Sequence, residues 1–526
     1  MSDQSNLTVP ELLAEAALKW PEKTALLFDP SMDSMTYLEL EERTNAIASQ
    51  LIELGVGPGD RVAVMSKNEI EYPLSWLGII KAKAIMVPIN SFAMEADALH
   101  ILNHSEAKAI ILQEKYLEFI TEISPKILNL KIKLVTTQTN SPGFYTLTKS
   151  QSALPPYSNY LSEDIANIQY TSGTTGKPKG CMLTNFYWSK ISNAIINEPI
   201  QLTESDVLLN AQPFSYMDPQ WTLLAGVRLG AKVVILDRFH PSSFWQKISE
   251  YNVTFFYCLG SMPMLMNEMP DSKFDKDHKL KFVACSAIPI SLHKHLEERF
   301  KVPWFEVYGS TETGGDLVMS ATEQNELVGS GSIGRAFAHR EVMIADDQDN
   351  AVARGEIGNI LVRGLGMMLG YFKNPEESQR AFRSGWYHSG DTGWQDEFGR
   401  TFFVGRSKDI IRRSGENISA VEVESVLYLM DEIKLVACIP VVDSMRGEEI
   451  KALIVLRDGV AQLDIEKAVK FCSEKLAYFK VPRYWEICAD LPLTESDKIA
   501  KGQLTSEKIA WKFDVFDSSI NSWITK

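Results

Sequence analysis

Cysteine and histidine are scarce in this sequence and poorly placed for metal binding. Six cysteines and eight histidines are scattered over 526 residues. There is no C-x-x-C pair and no histidine at zinc spacing, so the simple reading is a reduced, cytoplasmic compartment and no structural metal. Positive charge is also in deficit. With 53 Lys and Arg against 68 Asp and Glu, the net charge of −15 argues against a general nucleic-acid or anionic-membrane binder, either of which wants a basic surface. It leaves room for a small cationic site that holds a nucleotide. Long apolar runs are missing, since no stretch approaches the roughly 18 residues of a membrane span. The opening stretch MSDQSNLTVPELLAEAALKW carries acids within its apolar pattern and has neither the basic nor the apolar region of a signal peptide. Internal repeats and low-complexity linkers are absent, and a homo-oligomer is neither required nor ruled out.

What is present is globular. The chain is 45% hydrophobic and 23% charged, the balance of a soluble enzyme-sized protein. Its 526 residues exceed one ordinary core, so at least two domains are expected. Short apolar strands such as DRVAVMS, AIMVPIN, KVVIL and VTFFYC alternate with helical patterns. That alternation predicts an α/β fold of mostly parallel sheets covered on both faces. From about residue 331 short strands separated by turn residues predict a small β-rich subdomain. After GRSKD comes a smaller α+β pattern, with helices in SAVEVESVLYLM and DIEKAVKFCSEKLA and strands in KLVACIPVV and IKALIVL. The expectation is a large N-terminal domain over 1–407, β-rich from about 331 to 407, and a small mobile α+β C-terminal domain over 408–526. Beyond about residue 510 the sequence carries no chemical signal and reads as a packing tail.

The stretch YTSGTTGKPKG, residues 170–180, crowds glycines and hydroxyls between two strand-like segments and closes with two lysines. Such a loop can turn backbone N–H groups and hydroxyls onto anionic oxygens. It is not a P-loop, which reads G-x-x-x-x-G-K-[ST]. Only Thr174 and Thr175 separate Gly173 from Gly176, and Pro178 stands where the magnesium-binding hydroxyl belongs. A surface turn has the same composition, so the downstream motifs decide. They are YGSTETGG (308–315), GWYHSGDTG (385–393), GRSKDIIRRSGENISAVEVE (405–424) and LPLTESDKIAKGQL (491–504). Taken singly, each reads as a turn or a solvated loop.

Together, in this order, they resemble the motifs of the adenylate-forming superfamily: acyl- and aryl-CoA synthetases, peptide-synthetase adenylation domains and beetle luciferases. The resemblance runs from about Thr36 to about Leu504. It implies that Thr171, Ser172, Gly173, Thr174, Thr175, Gly176 and Lys179 surround the β- and γ-phosphates of ATP. Tyr308 would stack on adenine, Thr311 would touch the α-phosphate and Glu312 would hold Mg2+. Asp391 and Arg406 would contact the ribose, Lys408 would be the hinge, and Gly415 would sit beside the pantetheine path of CoA. Lys498 would bridge the substrate carboxylate and the α-phosphate. The implied chemistry has two steps. A small carboxylic acid attacks the α-phosphate of ATP, giving an acyl-adenylate and pyrophosphate; the thiol of CoA then displaces AMP. The first step needs positioned cations and donors rather than a covalent nucleophile, and the C-terminal domain rotates about the hinge between the two.

A free-standing CoA ligase is expected rather than an enzyme loading a carrier-protein thiol, because no G-x-D-S-[LI] site follows Lys498. A nucleotide-binding scaffold or sensor is the non-enzyme alternative; the presence of Thr311, Glu312, Asp391, Arg406 and Lys498 weighs against it. SMRGEEIKALIVL and FKVPRYWEI are most similar to the crotonobetaine/carnitine-CoA ligase branch, which implies a small quaternary-ammonium acid. Such a cation calls for aromatic faces or a carboxylate, and Tyr216, Asp218 and Trp221 in QPFSYMDPQW are the candidates. The other reading is that Tyr216 and Trp221 pack a helix start capped by Asp218, and a medium-chain fatty acid is the alternative substrate. Several positions depart from the family pattern: Tyr216 for a common histidine, SAIPI (286–290) for G-G-A-P-L, and Asp497 and Lys83 for glycines.

Overall fold

The computed structural model describes residues 7–136, 157–171, 178–259, 262–406, 410–413, 416–443, 446–493, 499–505 and 515–524. Helix starts follow their sequence signals. Thr36 precedes the helix Tyr37–Glu53 and exchanges hydrogen bonds with Glu39: Glu39 N–H donates to Thr36 Oγ1 at 3.2 Å and Thr36 N–H to Glu39 Oε2 at 2.8 Å. This box satisfies two donors that the first turn leaves without partners. The helix then buries Leu40, Ile47 and Leu51, one stripe at helical spacing.

Two sheets form the large N-terminal domain. The first orders Ile132–Val135, Ala109–Leu112, Arg61–Met65, Ile85–Ile89, Ile165–Thr171 and Lys179–Thr184. Neighbours are parallel except for the last pair. In the second, parallel strands run Thr24–Phe28, Lys232–Ile235, Val207–Asn210, Phe255–Leu259, Phe282–Ser286 and Trp304–Ser310. These strands read as continuous apolar runs because helices cover both faces. From Gly314 the same sheet continues antiparallel through Gly314–Val318, Ser332–Ala336, Thr401–Arg406, Trp386–Gln395, Gly358–Gly364 and Arg340–Ala345. The β-rich texture is therefore an extension of the parallel sheet, hydrogen-bonded onto it by the return at Gly314. Alternation of residue types does not reveal that continuity.

The small C-terminal domain has its own sheet, Glu416–Ser419, Ile410–Arg413, Gly447–Leu456, Tyr484–Ile487, Val515–Asp517 and Ser522–Ile524, with Ile433–Asp443 also paired to Gly447–Leu456. Helices Ala420–Leu427 and Ile465–Lys475 complete a separate core around Val423, Leu427, Val436, Ile454 and Trp485. Val515–Asp517 and Ser522–Ile524, in the tail, are the last two strands on one side of this sheet.

Buried amides join the two large sheets where their strands end. Asn68 donates to the carbonyls of Gln212 and Leu236, both at 2.9 Å, and accepts from Phe214 N–H at 2.9 Å. Gln169 donates to Ser215 O at 2.6 Å. Thr171, Asn210, Leu259, Ser286 and Ser310 close parallel strands at their carboxyl ends. In open α/β sheets that edge is where ligands bind.

Candidate active site

The strand Trp304–Ser310 ends in Tyr308-Gly309-Ser310 and returns at Gly314. A Cβ on Gly309 would lie 1.9 Å from Gly314 O, so only glycine allows this tight return. Beside it, Tyr308 Oη donates to Asp391 Oδ2 at 2.6 Å. Burial and the charge of Asp391 push the phenol well up, which keeps it protonated and donating. Asp391 is 8% exposed and lies in register with Arg406 on the neighbouring strand, whose Nε is 3.4 Å from Asp391 Oδ1. Strand pairing sets Asp391 beside Arg406, and the Tyr308 hydroxyl reaches Asp391 through a side-chain hydrogen bond, so residues nearly a hundred apart in sequence meet.

The turn that carries Thr311 and Glu312 is fixed from several directions. Tyr187 Oη donates to Thr311 O at 3.1 Å, and Met368 N–H donates to Glu312 O at 2.8 Å. The guanidinium of Arg340 donates to Thr313 O and pairs with Asp316 at 2.9 Å, both ion-pair partners being almost fully buried. The Glu312 carboxylate accepts from Tyr371 Oη at 2.9 Å. Tyr371 stands on a segment laid along Lys179–Thr184: Leu369 N–H donates to Met182 O, Met182 N–H to Gly370 O, and Phe372 N–H to Gly180 O. Thr171 and Lys179 face each other in register where their strands meet the 172–177 loop. Lys179 Nζ lies 5.0 Å from the centre of the Tyr371 ring and pairs with Glu377. Lys179, Tyr371 and Glu312 thus form a continuous wall.

Ser172, Gly173, Thr174, Thr175, Gly176, Lys408, Gly415 and Lys498 lie outside the described residues. Leu493 and Ile499 pair across the base of the segment that contains Lys498, and Lys501 pairs with Glu424 at 2.6 Å. A carboxylate held by one oxygen beside a threonine fits Mg2+, a hard cation that keeps much of its shell for phosphate and water. No group of three or more metal-capable side chains occurs among the described residues.

On the other flank, Tyr216 occupies the N-cap of the helix Met217–Leu229 and its side chain makes no capping bond. Asn90 Nδ2 donates to its Oη at 3.1 Å. Asp218 lies within the first turn rather than at the cap, so it favours the helix through the dipole. Trp221 is 4% exposed and packs edge-on against Tyr257 at 5.2 Å. It is a core residue that supports Tyr257. Tyr257 Oη in turn donates to Ser286 Oγ at 2.7 Å, and Ser286 Oγ to Val307 O at 2.5 Å. Burial and the charge of Asp218 push the Tyr257 phenol up. Sequence reasoning did not single out Tyr257, Arg340 or Tyr371, which the structure places in contact with Ser286, with Asp316 and Thr313, and with Glu312. The available signal was position alone, since Tyr257 stands near a strand end and Tyr371 follows Gly370, whose φ is +137°.

Residues 13–372 match the AMP-binding enzyme family and residues 422–498 the AMP-binding enzyme C-terminal domain. A crotonobetaine/carnitine–CoA ligase of Escherichia fergusonii is 32% identical over 498 residues, covering 92% of this chain and 96% of the relative. The anthranilate CoA ligase AuaEII, solved with anthranoyl-AMP, superimposes with a TM-score of 0.87 at 26% identity, over 95% of this chain and 96% of that one. A benzoate CoA ligase from Burkholderia xenovorans LB400 gives a TM-score of 0.84 at 25% identity, over 95% and 100%. Fold and site together define an adenylate-forming enzyme, an AMP-forming acid–thiol ligase. The chain belongs to the AMP-binding enzyme family.

Proposed function

We propose that this enzyme activates a small carboxylic acid with a cationic head and transfers the acyl group to CoA. The observation that carries the reading is the meeting of Tyr308, Asp391 and Arg406 with Thr311, Glu312 and Lys179 along one carboxyl edge of the sheets. On this reading Tyr308 meets the adenine and Asp391 with Arg406 holds the ribose. Thr171, Lys179 and the 172–177 loop surround the outer phosphates, and Thr311 contacts the α-phosphate. Glu312 would hold Mg2+, which when bound offsets charge on the phosphate oxygens. Lys498 orients the acid's carboxylate against the α-phosphate, so attack there needs little further ordering.

Lys408 is assigned as the hinge because it falls between Arg406, the last residue of the large sheet, and Ile410, the first of the C-terminal sheet. Gly415 is assigned to the pantetheine path of CoA on the family resemblance alone. The cationic head is assigned to Asp218, with Tyr216 and Tyr257 as aromatic walls and Trp221 behind them, in keeping with the curated relatives' betaine-type acids. A cytoplasmic location fits these substrates, and no helix among the described residues is long and apolar enough to cross a membrane.

The test is pyrophosphate release from ATP and Mg2+ across a panel of acids, with and without CoA. Acid-dependent release, and acyl-CoA formation with betaine-type acids, are expected. A preference for an eight- to twelve-carbon fatty acid over every betaine offered would remove the cation assignment. Absence of acid-dependent release would remove the adenylation roles.

A further inference from the structure

We propose that Tyr371 is a positioning residue that presents the Glu312 carboxylate to the cation accompanying ATP and ties it to Lys179. This rests on the reading of Glu312 as the metal-side carboxylate. The Tyr371 hydroxyl donates to Glu312 Oε1 at 2.9 Å, so one oxygen of the carboxylate is anchored by a donor. A second-shell bond of this kind orients a carboxylate and removes part of the entropy its binding would otherwise cost. The donor is itself held. Tyr371 is 8% exposed, its N–H donates to Ser378 Oγ at 2.8 Å, and it bridges to Cys181 on the strand leaving the phosphate loop. Lys179 sits over the face of the same ring, where the π cloud attracts a cation. One aromatic side chain therefore contacts both a cation and an anion of the phosphate side, the first through its face and the second through its edge.

The experiment is calorimetric titration of ATP into the full-length enzyme with and without Mg2+, for the wild type, Tyr371→Phe and Glu312→Gln. Phenylalanine keeps the ring and its contact with Lys179, so metal-free ATP affinity is expected to stay at the wild-type value, which also reports that the variant is folded. The extra tightening that Mg2+ gives should fall by on the order of tenfold, the usual loss when a second-shell partner is removed. In parallel, the Mg2+ concentration for half-maximal adenylation should rise by a similar factor. A wild-type Mg2+ effect in Tyr371→Phe overturns the proposal, and so does an equal loss of ATP affinity with and without the metal. Should Glu312→Gln also keep the wild-type Mg2+ effect, the fault lies in the reading of Glu312, and the role of Tyr371 falls with it. A lost effect in Glu312→Gln beside a retained one in Tyr371→Phe leaves that reading standing and removes only Tyr371.

Discussion

The two flanks of this cleft are made of different materials. The nucleotide flank is a lattice of charge and hydrogen bonds: Tyr308 on Asp391, Arg406 beside it, Tyr371 on Glu312, and the buried Arg340–Asp316 pair beneath. The proposed acid flank is aromatic: Asn90 donates to Tyr216, Trp221 packs edge-on against Tyr257, and the Asp218 charge acts on the Tyr257 phenol. A lattice with directional bonds fixes a single ligand geometry, whereas aromatic walls adapt to shape and charge. The difference yields a rule for mutants. Changes on the nucleotide flank should slow every acid alike; changes on the acid flank should reorder acids while leaving ATP alone.

The largest effect is expected at Lys498. On the proposed role, in which Lys498 bridges the acid's carboxylate and the α-phosphate, Lys498→Ala should cut adenylation by about 10²- to 10³-fold, as when a transition-state donor is deleted. Thioester formation from supplied acyl-AMP should largely survive, and the acid ranking should not move. Separate assays of the two half-reactions check this, and equal loss of both would remove Lys498 from the first step.

Next comes Arg340. Its guanidinium holds the carbonyls of Thr313 and Leu365 as well as Asp316, and its side chain is 1% exposed. Arg340→Met leaves the Asp316 charge buried without its cation, which costs about 3–5 kcal/mol. The N-terminal domain should unfold at markedly lower denaturant, and Arg340→Lys should recover only part of the loss because a point charge cannot span three acceptors. Near wild-type stability in Arg340→Met would mean that the turn carrying Thr311 and Glu312 is held by its other contacts.

The same contrast accounts for what was legible in the sequence. Thr311, Glu312, Asp391 and Arg406 stood out in the sequence because each sits in a short local string that resembles a family motif, and the structure sets Asp391 beside Arg406 and Glu312 on a fixed turn. Tyr371, Arg340 and Tyr257 could not be found this way. Their importance arises from strand pairing and crossing contacts, such as Tyr371 lying along Cys181 or Tyr257 reaching Ser286. Local texture left two readings of Trp221 open, a substrate wall or a packed helix start, and the structure shows it buried against Tyr257. Elements were easier than contacts. The helix in DIEKAVKFCSEKLA was expected from periodicity and is found as Ile465–Lys475, while the fusion of the β-rich part with the parallel sheet needed the tertiary pairing itself.

On the acid flank, Asp218→Asn tests the rule from the other side. A carboxylate facing a cationic head contributes on the order of 1–3 kcal/mol that a neutral amide does not match. KM for a betaine-type acid should therefore rise by about five- to 150-fold, with little change for an uncharged acid of equal length and none for ATP. A small stability loss without any reordering would instead mark Asp218 as a first-turn helix residue only.

The smallest effect concerns two departures that share one backbone conformation. Ala287, in the SAIPI stretch, has φ +68°, and Lys83 has φ +54°; for a side chain bearing Cβ this region costs roughly 1–2 kcal/mol. Each is held by its surroundings in a different way. At Ala287 the bonds come from the backbone, with its N–H and that of Ile288 donating to the two oxygens of Glu306 at 2.6 and 2.8 Å. At Lys83 they come from the side chain, whose Nζ donates to Asn159 O at 2.7 Å and lies 3.5 Å from Asp164. Ala287→Gly therefore removes the strain and keeps every bond. After the added flexibility of the unfolded chain, a net gain of about 0.5–1 kcal/mol is expected. Lys83→Gly removes the strain together with its bonds, and the two changes should nearly cancel. Denaturant midpoints of the two variants, compared with wild type, separate these outcomes. Equal stabilisation would mean that the Lys83 bonds contribute nothing. A gain at Ala287 accompanied by slower adenylation would mean that the strained turn is kept for the geometry of Ser286 and Tyr257 rather than tolerated.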